Sequence, residues 1–269
     1  MRRPEPRPSW SEAWTLSYHY DRMEVFQEGG RSGYARAYAA RRASTLELVR
    51  AAAPPGARVL EVGAAQGNLT LALAEVGYDV TWNDLRSELA DYVRLKHERG
   101  VVRYAPGDVF DLRVDEPFNI VLAAELIEHV AHPRALLEKL AGLTRPRGHV
   151  IVTTPNGSYF LNRLPILDRA GDRAGLEARQ FKPDADGHLF ALRDQDLASL
   201  AAGAGLRIAE LRFFGNPLTS GHMKLGGLLQ MLPGSWVRLG EAVTESLPDG
   251  ARRRLHAGVA VRLVRPPEG

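Results

Sequence analysis

The chain has 269 residues, of which 45% are hydrophobic and 25% charged, with a formal net charge of +3 and no cysteine. The absence of cysteine excludes disulfides, thiolate metal sites and a cysteine nucleophile. Basic residues are spread along the whole chain, which favours a solvated surface over a nucleic-acid site. No apolar run approaches the roughly 20 residues of a membrane-spanning helix, and none follows the basic N-terminus, so we expect a cytoplasmic protein that does not bind membranes.

The N-terminal segment, residues 1–50, has the pattern of helices that lead into a sheet. We predict that it forms a helical cap on a domain that spans residues 51–269. Its aromatic residues could close a lid over a bound acceptor, and Tyr18 and Tyr20 are the candidates for acceptor binding. Ordinary helix packing explains most of these aromatic residues equally well.

From Arg58 onward, short runs typical of strands alternate with helical patterns. The predicted strands are RVLEV (58–62), YDVTW (78–82), VVRYA (101–105), FNIVLAA (118–124), GHVIVTT (148–154), LRIAELRFF (206–214) and AGVAVRLVR (257–265). The predicted helices are residues 68–77, 86–100, 133–144 and 193–205. This alternation predicts an α/β fold, a Rossmann-like seven-stranded and mostly parallel sheet with helices on both faces. Ligands of such sheets bind at the carboxyl ends of the strands.

Two long segments interrupt the alternation, residues 156–190 and residues 215–254. Insertions of this length are typical of lids and binding loops, so we interpret both as substrate-capping insertions. The later insertion contributes His222 as a candidate acceptor-binding residue. An exposed apolar face in it could equally form a homodimer interface.

A loop of small residues follows the first strand and contains Gly63, Ala65 and Gly67. Glycine costs backbone entropy, so a loop of this kind indicates a turn that a ligand backbone approaches closely. Asp84 lies at the end of the second predicted strand, 84 − 63 = 21 residues after the first loop glycine. That spacing is typical of an acid that accepts ribose hydroxyls. The dinucleotide fingerprint GxGxxG is not matched, which disfavours NAD.

Four segments occur in an order that resembles class I S-adenosylmethionine-dependent methyltransferases. They are EVGAAQG (61–67), the acid Asp84, GDVF (107–110) and AAELIEHV (123–130). The resemblance is nearest to the branch of ubiquinone-biosynthesis O-methyltransferases and natural-product methyltransferases, which also has a counterpart of TTPN (153–156). It covers roughly residues 55–210 and implies S-adenosylmethionine as the cofactor.

The resemblance also implies which residues bind this cofactor. In that family the first loop packs against the methionine part, the second-strand acid binds the ribose, and an acid after the third strand contacts the adenine. The cofactor-binding residues would therefore be Glu61, Gly63, Ala65, Gly67, Asp84, Asp108, Val109, Phe110 and Glu125. One departure is that the family commonly has glycine where this chain has Ala65. Alanine is the mildest substitution, so we expect cofactor binding to persist.

A hydroxyl acceptor would need a base, and we predict His188 for that role, with His129 as the second candidate. A structural histidine is the alternative interpretation of each. Asp184, Asp186 and His188 occur within one short segment, but a turn explains them as well as a metal site does. We therefore predict no metal ion.

The sequence as a whole predicts methyl transfer to a small molecule, most simply to a hydroxyl oxygen of a specialised metabolite. A nitrogen or carbon acceptor remains open, because the acceptor depends on insertions outside the resemblance. A catalytically silent protein of the same fold, which uses the cavity only to bind a ligand, is the alternative from another class.

Overall fold

A computed structural model describes the chain over residues 1–28, 33–178, 187–217, 239, 242–244 and 246–267. The helices are α1 (Glu12–Glu24), α2 (Gly33–Ala52), α3 (Asn68–Glu75), α4 (Leu89–Lys96), α5 (Pro133–Leu143), α6 (Arg173–Glu177), α7 (Asp194–Gly203) and α8 (Asp249–Leu255). The strands are β1 (Arg58–Val62), β2 (Asp79–Asn83), β3 (Val101–Tyr104), β4 (Phe118–Ala124), β5 (Thr144–Pro155), β6 (Arg207–Phe214) and β7 (Gly258–Val264). Short 3₁₀ turns lie at Ile127–His129 and Leu167–Arg169.

The seven strands form one sheet in the order β3-β2-β1-β4-β5-β7-β6. Strands β1 to β5 pair in parallel with one another, whereas β7 is antiparallel to both β5 and β6. The predicted seven-stranded, mostly parallel α/β sheet is therefore confirmed. The strand order reverses between β1 and β4, and a crevice at such a switch point is where open α/β sheets bind ligands.

Apolar side chains fill both faces of the sheet. On one face, residues of α5 and α7 such as Leu137 and Leu197 pack against Val121 and Val150 of the central strands. On the other face, Leu48 of α2 and Leu73 of α3 pack with neighbouring strand residues. Near-continuous apolar strands such as β4 are what a sheet that is covered on both faces requires.

Helix α2 continues past residue 50 to Ala52 and packs against β5 and β7. The helix that was predicted to belong to an N-terminal cap thus covers the sheet directly. The division into a cap of residues 1–50 and a domain of residues 51–269 remains a prediction about how the chain is organised. None of the helices in the described ranges has the length and apolarity that crossing a membrane would need.

Asn156, the last residue of the TTPN segment, is a structural residue. Its side-chain amide donates to the carbonyl oxygens of Arg253 (2.7 Å) and His256 (2.8 Å), and its carbonyl oxygen accepts from the backbone of Ser158. The side chain is 1% exposed. These bonds join the end of β5 to the last turn of α8, so the segment that precedes β7 is held against the sheet.

Candidate active site

The loop between β1 and α3 adopts left-handed backbone conformations at three positions. Gly63 has φ +66°, Ala65 has φ +46° and Gly67 has φ +69°. A β-carbon added to Gly67 would lie 2.7 Å and 2.8 Å from the two methyl groups of Val93, which explains the glycine there. Ala65 adopts the same conformation in spite of its methyl group, at a cost that glycine would not have.

Asp84 holds this loop from the end of β2. Its Oδ2 accepts from the backbone N–H of Ala65 at 2.7 Å, and its Oδ1 accepts from the backbone N–H and the Nε–H of Arg86 at 2.9 Å and 3.1 Å. The side chain is 5% exposed and lines the cavity described below. Arg86 Nη2 also lies 3.5 Å from Oδ2, and the Arg86 side chain is half exposed, so ligand hydroxyls would bind the carboxylate in place of that guanidinium.

Glu61, within β1, is 4% exposed and accepts a hydrogen bond from the Thr70 hydroxyl. Burial raises its pKa to about 7 from an ordinary value of 4.5, the Thr70 bonds oppose that shift, and the negative charge of Asp84 adds to it. An acid with a raised pKa in a cavity is a candidate partner for a cationic ligand group.

The predicted adenine-binding segment follows β3. Asn83 shapes it, because its side-chain amide donates to the carbonyl oxygens of Ala105 (2.6 Å) and Gly107 (3.0 Å). Asp108 is exposed, and its Oδ1 accepts from the backbone N–H of Phe110 at 2.9 Å, which is a local turn bond. Val109 is 8% exposed, whereas Phe110 is 43% exposed. All three residues line the cavity.

Glu125 ends β4 in a left-handed conformation, with φ +52°. Thr153 bonds both the backbone and the side chain of Glu125. Its carbonyl accepts from the Glu125 N–H (2.9 Å), and its hydroxyl donates to Oε1 (2.9 Å). Oε2 lies 3.4 Å from the Arg41 guanidinium of α2. A non-glycine residue in this conformation costs about 1–3 kcal/mol and is commonly part of a functional site.

A single cavity of about 820 Å³ brings these segments together. Its size is within the range of small-molecule and cofactor sites. All nine of the predicted cofactor-binding residues are in the cavity wall or, for Gly67, in the loop that forms it: Glu61, Gly63, Ala65, Gly67, Asp84, Asp108, Val109, Phe110 and Glu125. The sequence analysis missed five wall residues from the N-terminal helices, Glu24, Tyr38, Arg41, Arg42 and Thr45. In the sequence, the adjacent arginines Arg41 and Arg42 are the one signal that could have indicated this contribution of α2.

The two predicted base candidates lie side by side next to the buried acid Glu128. The rings of His129 and His188 are 4.8 Å apart, and His188 Nε2 is 3.8 Å from Glu128 Oε1. His129 lines the cavity, and its Nδ1 lies 2.6 Å from the carbonyl oxygen of Gly187. A carbonyl can only accept, so Nδ1 carries the proton and Nε2 is the basic nitrogen of a neutral His129.

Glu128 is fully buried, and neither of its carboxyl oxygens hydrogen-bonds another described residue. Burial raises its pKa well above the ordinary value, the charge of Glu125 adds to the shift, and Thr154 and Arg41 oppose it. The nearest ligand atoms of Glu128, His129 and His188 all lie within 4.8 Å of one another. A carboxylate and two imidazoles can also bind a divalent cation, although the sequence analysis predicted none. Asp184 and Asp186 lie outside the described residues.

Two of the three predicted acceptor-binding residues, Tyr18 and Tyr20, are not among the described residues that line this cavity. Tyr18 accepts hydrogen bonds from Arg3 and packs on Trp10, and Tyr20 is exposed beside Tyr34, so neither is among the described residues of the wall. Tyr20 lies one helical turn before Glu24 and packs on Tyr34, whose hydroxyl donates to Glu24, so only Glu24 of this group reaches the cavity wall. His222 lies outside the described residues.

Comparison with known proteins gives a family model described as a methyltransferase domain, which matches residues 34–211. Ubiquinone biosynthesis O-methyltransferase of Xanthomonas euvesicatoria is 34% identical over 160 residues, which are 58% of this chain and 65% of that relative. The chain thus spans slightly less than two thirds of the length of this relative.

Solved structures with the same fold are more distant in sequence. Magnesium protoporphyrin IX methyltransferase from Synechocystis PCC 6803, with bound S-adenosylhomocysteine, has a TM-score of 0.56 at 14% identity and covers 94% of this chain and 96% of its own. The [4+2]-cyclase SpnF has a TM-score of 0.55 at 16% identity and covers 98% of this chain and all of its own. At these identities, the likeness shows the fold alone.

The fold and the cavity at its switch point define a doubly wound α/β protein with a small-molecule site. The chain belongs to the methyltransferase domain family, and S-adenosylmethionine is its cofactor, so the predicted family and cofactor are confirmed. The residues of the cavity fit this ligand. Asp84 can accept hydroxyls in place of the Arg86 guanidinium, and the left-handed loop brings backbone close to the cavity. Arg41 and Glu61 offer partners of opposite charge for an amino acid zwitterion.

Proposed function

We propose that this protein transfers the methyl group of S-adenosylmethionine to a hydroxyl oxygen of a small-molecule acceptor. The observation that carries the proposal is the joining of two sites in one cavity. Asp84 and the left-handed loop line the same cavity as His129, the neighbour of His188. The name of the Xanthomonas relative, an O-methyltransferase, supports oxygen as the methylated atom.

The cofactor supplies a methyl group on a sulfonium, which is a good leaving group, so the chain's own residues contribute chiefly alignment and the exclusion of water. The loop and Asp84 would fix the cofactor at the switch point of the sheet. The wall formed by Tyr38, Arg41 and the turn at Ile127–His129 would separate the reacting atoms from solvent.

A hydroxyl nucleophile must lose its proton as its oxygen bonds the methyl carbon and the carbon–sulfur bond breaks. We assign this proton to the histidine pair, with His188 as the first candidate for the base and His129 as the second. Glu128 would stabilise the imidazolium that forms, because its carboxyl lies 3.8 Å from His188 Nε2. Burial disfavours the ionised form of Glu128, and a neighbouring imidazolium favours it, so the two charges would form together.

A second arrangement of the same residues is favoured by the buried carboxyl of Glu128, whose oxygens lie close to both histidines but accept no hydrogen bond of ordinary geometry from the described residues. With His129 and His188 it would hold a divalent cation, once the ligand atoms, now up to 4.8 Å apart, approach one another by about 1 Å. A cation would act as a Lewis acid on the acceptor oxygen. The two arrangements predict different responses to chelation.

The test is methylation of a panel of phenols, catechols and aliphatic alcohols with isotope-labelled S-adenosylmethionine, followed by mass spectrometry. We expect a hydroxyl-containing acceptor to gain one methyl group, and His188→Ala to lose most turnover while S-adenosylhomocysteine affinity is kept. Loss of turnover on dialysis against a chelator, restored by Mg²⁺ or Zn²⁺, would select the cation over the free base. Cofactor binding without methylation of any acceptor would favour the catalytically silent alternative.

The acceptor class is also part of this proposal. A specialised metabolite is our first choice, and a hydroxylated precursor in ubiquinone biosynthesis is the alternative that the name of the relative suggests. Nitrogen and carbon acceptors are the alternatives to a hydroxyl oxygen. A cytoplasmic location and a homodimer are separate parts of the proposal. The acceptor panel therefore includes amines and activated aromatic carbons as well as hydroxyls.

A further inference from the structure

Helix α1 carries a fully buried charge that the proposed chemistry does not use. The carboxylate of Asp21 and the ammonium of Lys96, on α4, are both 0% exposed, and Oδ2 lies 2.7 Å from Nζ. The Tyr92 hydroxyl donates to the same Oδ2 at 2.7 Å. Burial of two charges costs several kcal/mol per ion before they attract each other, so such a pair is weak evidence for stability alone.

The pair is also bonded to the residue that directly follows the loop between β1 and α3, residues 63–67, which we call the cofactor loop. Asn68 is the first residue of α3, directly after Gly67. Its amide nitrogen donates to Asp21 Oδ1 at 2.7 Å, and its amide oxygen accepts from Lys96 Nζ at 2.6 Å. An amide that is bonded at both ends has a fixed orientation. Three helices therefore meet at the residue where the loop becomes a helix.

A second acid of α1 holds the other side of the loop. Glu24 Oε2 accepts from the amide nitrogens of Gln66 and Asn68, each at 3.0 Å, and Glu24 also lines the cavity. The residues on both sides of Gly67 are thus bonded to α1. The conformation of the loop depends on a helix that precedes the first strand by more than thirty residues.

We propose that α1 holds the cofactor loop in its binding conformation, and that Asp21 is a positioning residue that acts through Asn68 and Lys96. The inference rests on the proposed function in that it takes this loop to bind the cofactor. Directional bonds suit this role better than apolar packing, because they fix one orientation of the loop. By linkage, cofactor binding and the docking of α1 strengthen each other by the same factor.

The test replaces the network without leaving a charge or hydroxyl unpaired. The triple variant Asp21→Leu, Lys96→Met, Tyr92→Phe puts apolar side chains of similar size in the same space, so we expect its melting temperature to be similar to that of the wild type. S-adenosylhomocysteine affinity, measured by calorimetry, should fall about tenfold or more. Hydrogen exchange of residues 12–24 should slow on addition of S-adenosylhomocysteine in the wild type and respond much less in the variant. A folded variant with an affinity within about twofold of wild type would overturn the inference.

Asn68→Ala is the second variant, in case the triple variant does not fold. It keeps the Asp21–Lys96 pair and the Glu24–Gln66 bond and removes the three bonds of the Asn68 amide, so we expect about fivefold or greater weakening of S-adenosylhomocysteine binding with α1 still docked. An unchanged affinity in this variant would also overturn the inference. Arg103→Gln, which breaks an exposed ion pair with Asp79 far from the loop, is the matched control and should bind like the wild type. No binding by the wild type would instead overturn the proposed function.

Discussion

At the scale of single residues, Ala65 is a non-glycine residue in a left-handed conformation, with φ +46°. Ala65→Gly should raise the free energy of unfolding by about 0.5–1 kcal/mol, because relief of the strain exceeds the added entropy of the unfolded chain. Urea denaturation measures the change, and Ala65→Val should lower the same free energy. A loss of stability in Ala65→Gly would show that the alanine methyl makes a contact worth more than the strain.

Glu61 should make stability depend on pH. Its pKa is raised to about 7 in the folded chain from an ordinary 4.5, so the folded state binds more protons than the unfolded state between these values. The stabilisation is complete below the lower pKa and is lost as the pH rises through the upper one. Glu61→Gln keeps an acceptor for Thr70 but does not titrate.

The measurement is urea denaturation of the wild type and Glu61→Gln at about pH 5 and about pH 8. Relative to the variant, the wild type should lose roughly 2 kcal/mol between these values, since one pKa unit corresponds to about 1.4 kcal/mol. Parallel pH profiles of the two proteins would contradict the raised pKa. The comparison cancels the other titrating groups that the two proteins share.

At the scale of elements, the contact between α4 and the loop explains why position 67 is glycine. A β-carbon there would meet both Val93 methyl groups below 3.0 Å, and its φ is +69°. Gly67→Ala should lower the free energy of unfolding by about 1–3 kcal/mol and weaken S-adenosylhomocysteine binding. Adding Val93→Ala should restore part of the affinity, because it removes the clash.

Gly142→Ala is the matched control for this prediction. Gly142 lies in α5 with no atom within 4 Å of an added β-carbon, so the substitution should leave the stability unchanged or raise it by up to about 1 kcal/mol. Denaturation and calorimetry of both variants decide the matter. Equal effects of the two substitutions would show that close packing at Gly67 is not the cause.

Most elements could be predicted from the sequence, because their patterns are local. β1 and β4 have the predicted bounds, since apolar runs between polar turns delimit them. α4 is shorter than predicted, residues 89–96 instead of 86–100, because the N–H and the side chain of Arg86 bond Asp84 outside the helix. β5 begins at Thr144, earlier than predicted, since its first residues continue directly from α5 and pair with Phe118.

The site divides in the same way. Asp84 and the loop could be predicted because a strand, a small-residue loop and a second strand place them by topology. The Glu128–His129–His188 cluster could not, since His188 reaches it from a segment about sixty residues later. The predicted roles of Tyr18 and Tyr20 rested on residue type alone. The buried pair of Asp21 and Lys96, which joins α1 to α4, is a contact that sequence patterns do not identify.

At the scale of the whole molecule, one edge of the sheet carries both the residues that we assign to cofactor binding and the residues that we assign to deprotonation of the acceptor. The carboxyl ends of β1 and β2 carry Asp84 and the loop to which we assign the cofactor. The segment after β4 carries Glu125 and His129, and His188 joins them from a later segment. Helices α1 and α2 contribute Glu24, Tyr38 and Arg41 to the wall of the same cavity. The family match over residues 34–211 covers the sheet from β1 into β6.

The most direct test of the central claim is calorimetric titration of the wild type and Asp84→Ala with S-adenosylhomocysteine. Asp91→Ala, which removes an exposed acid of α4, is the control. We predict that the wild type and the control bind with similar affinity, and that Asp84→Ala loses about tenfold or more, since hydrogen bonds to a charged group are worth about 1.5–3 kcal/mol. No binding by the wild type, or equal binding by Asp84→Ala, would contradict the assignment of this cavity to the cofactor.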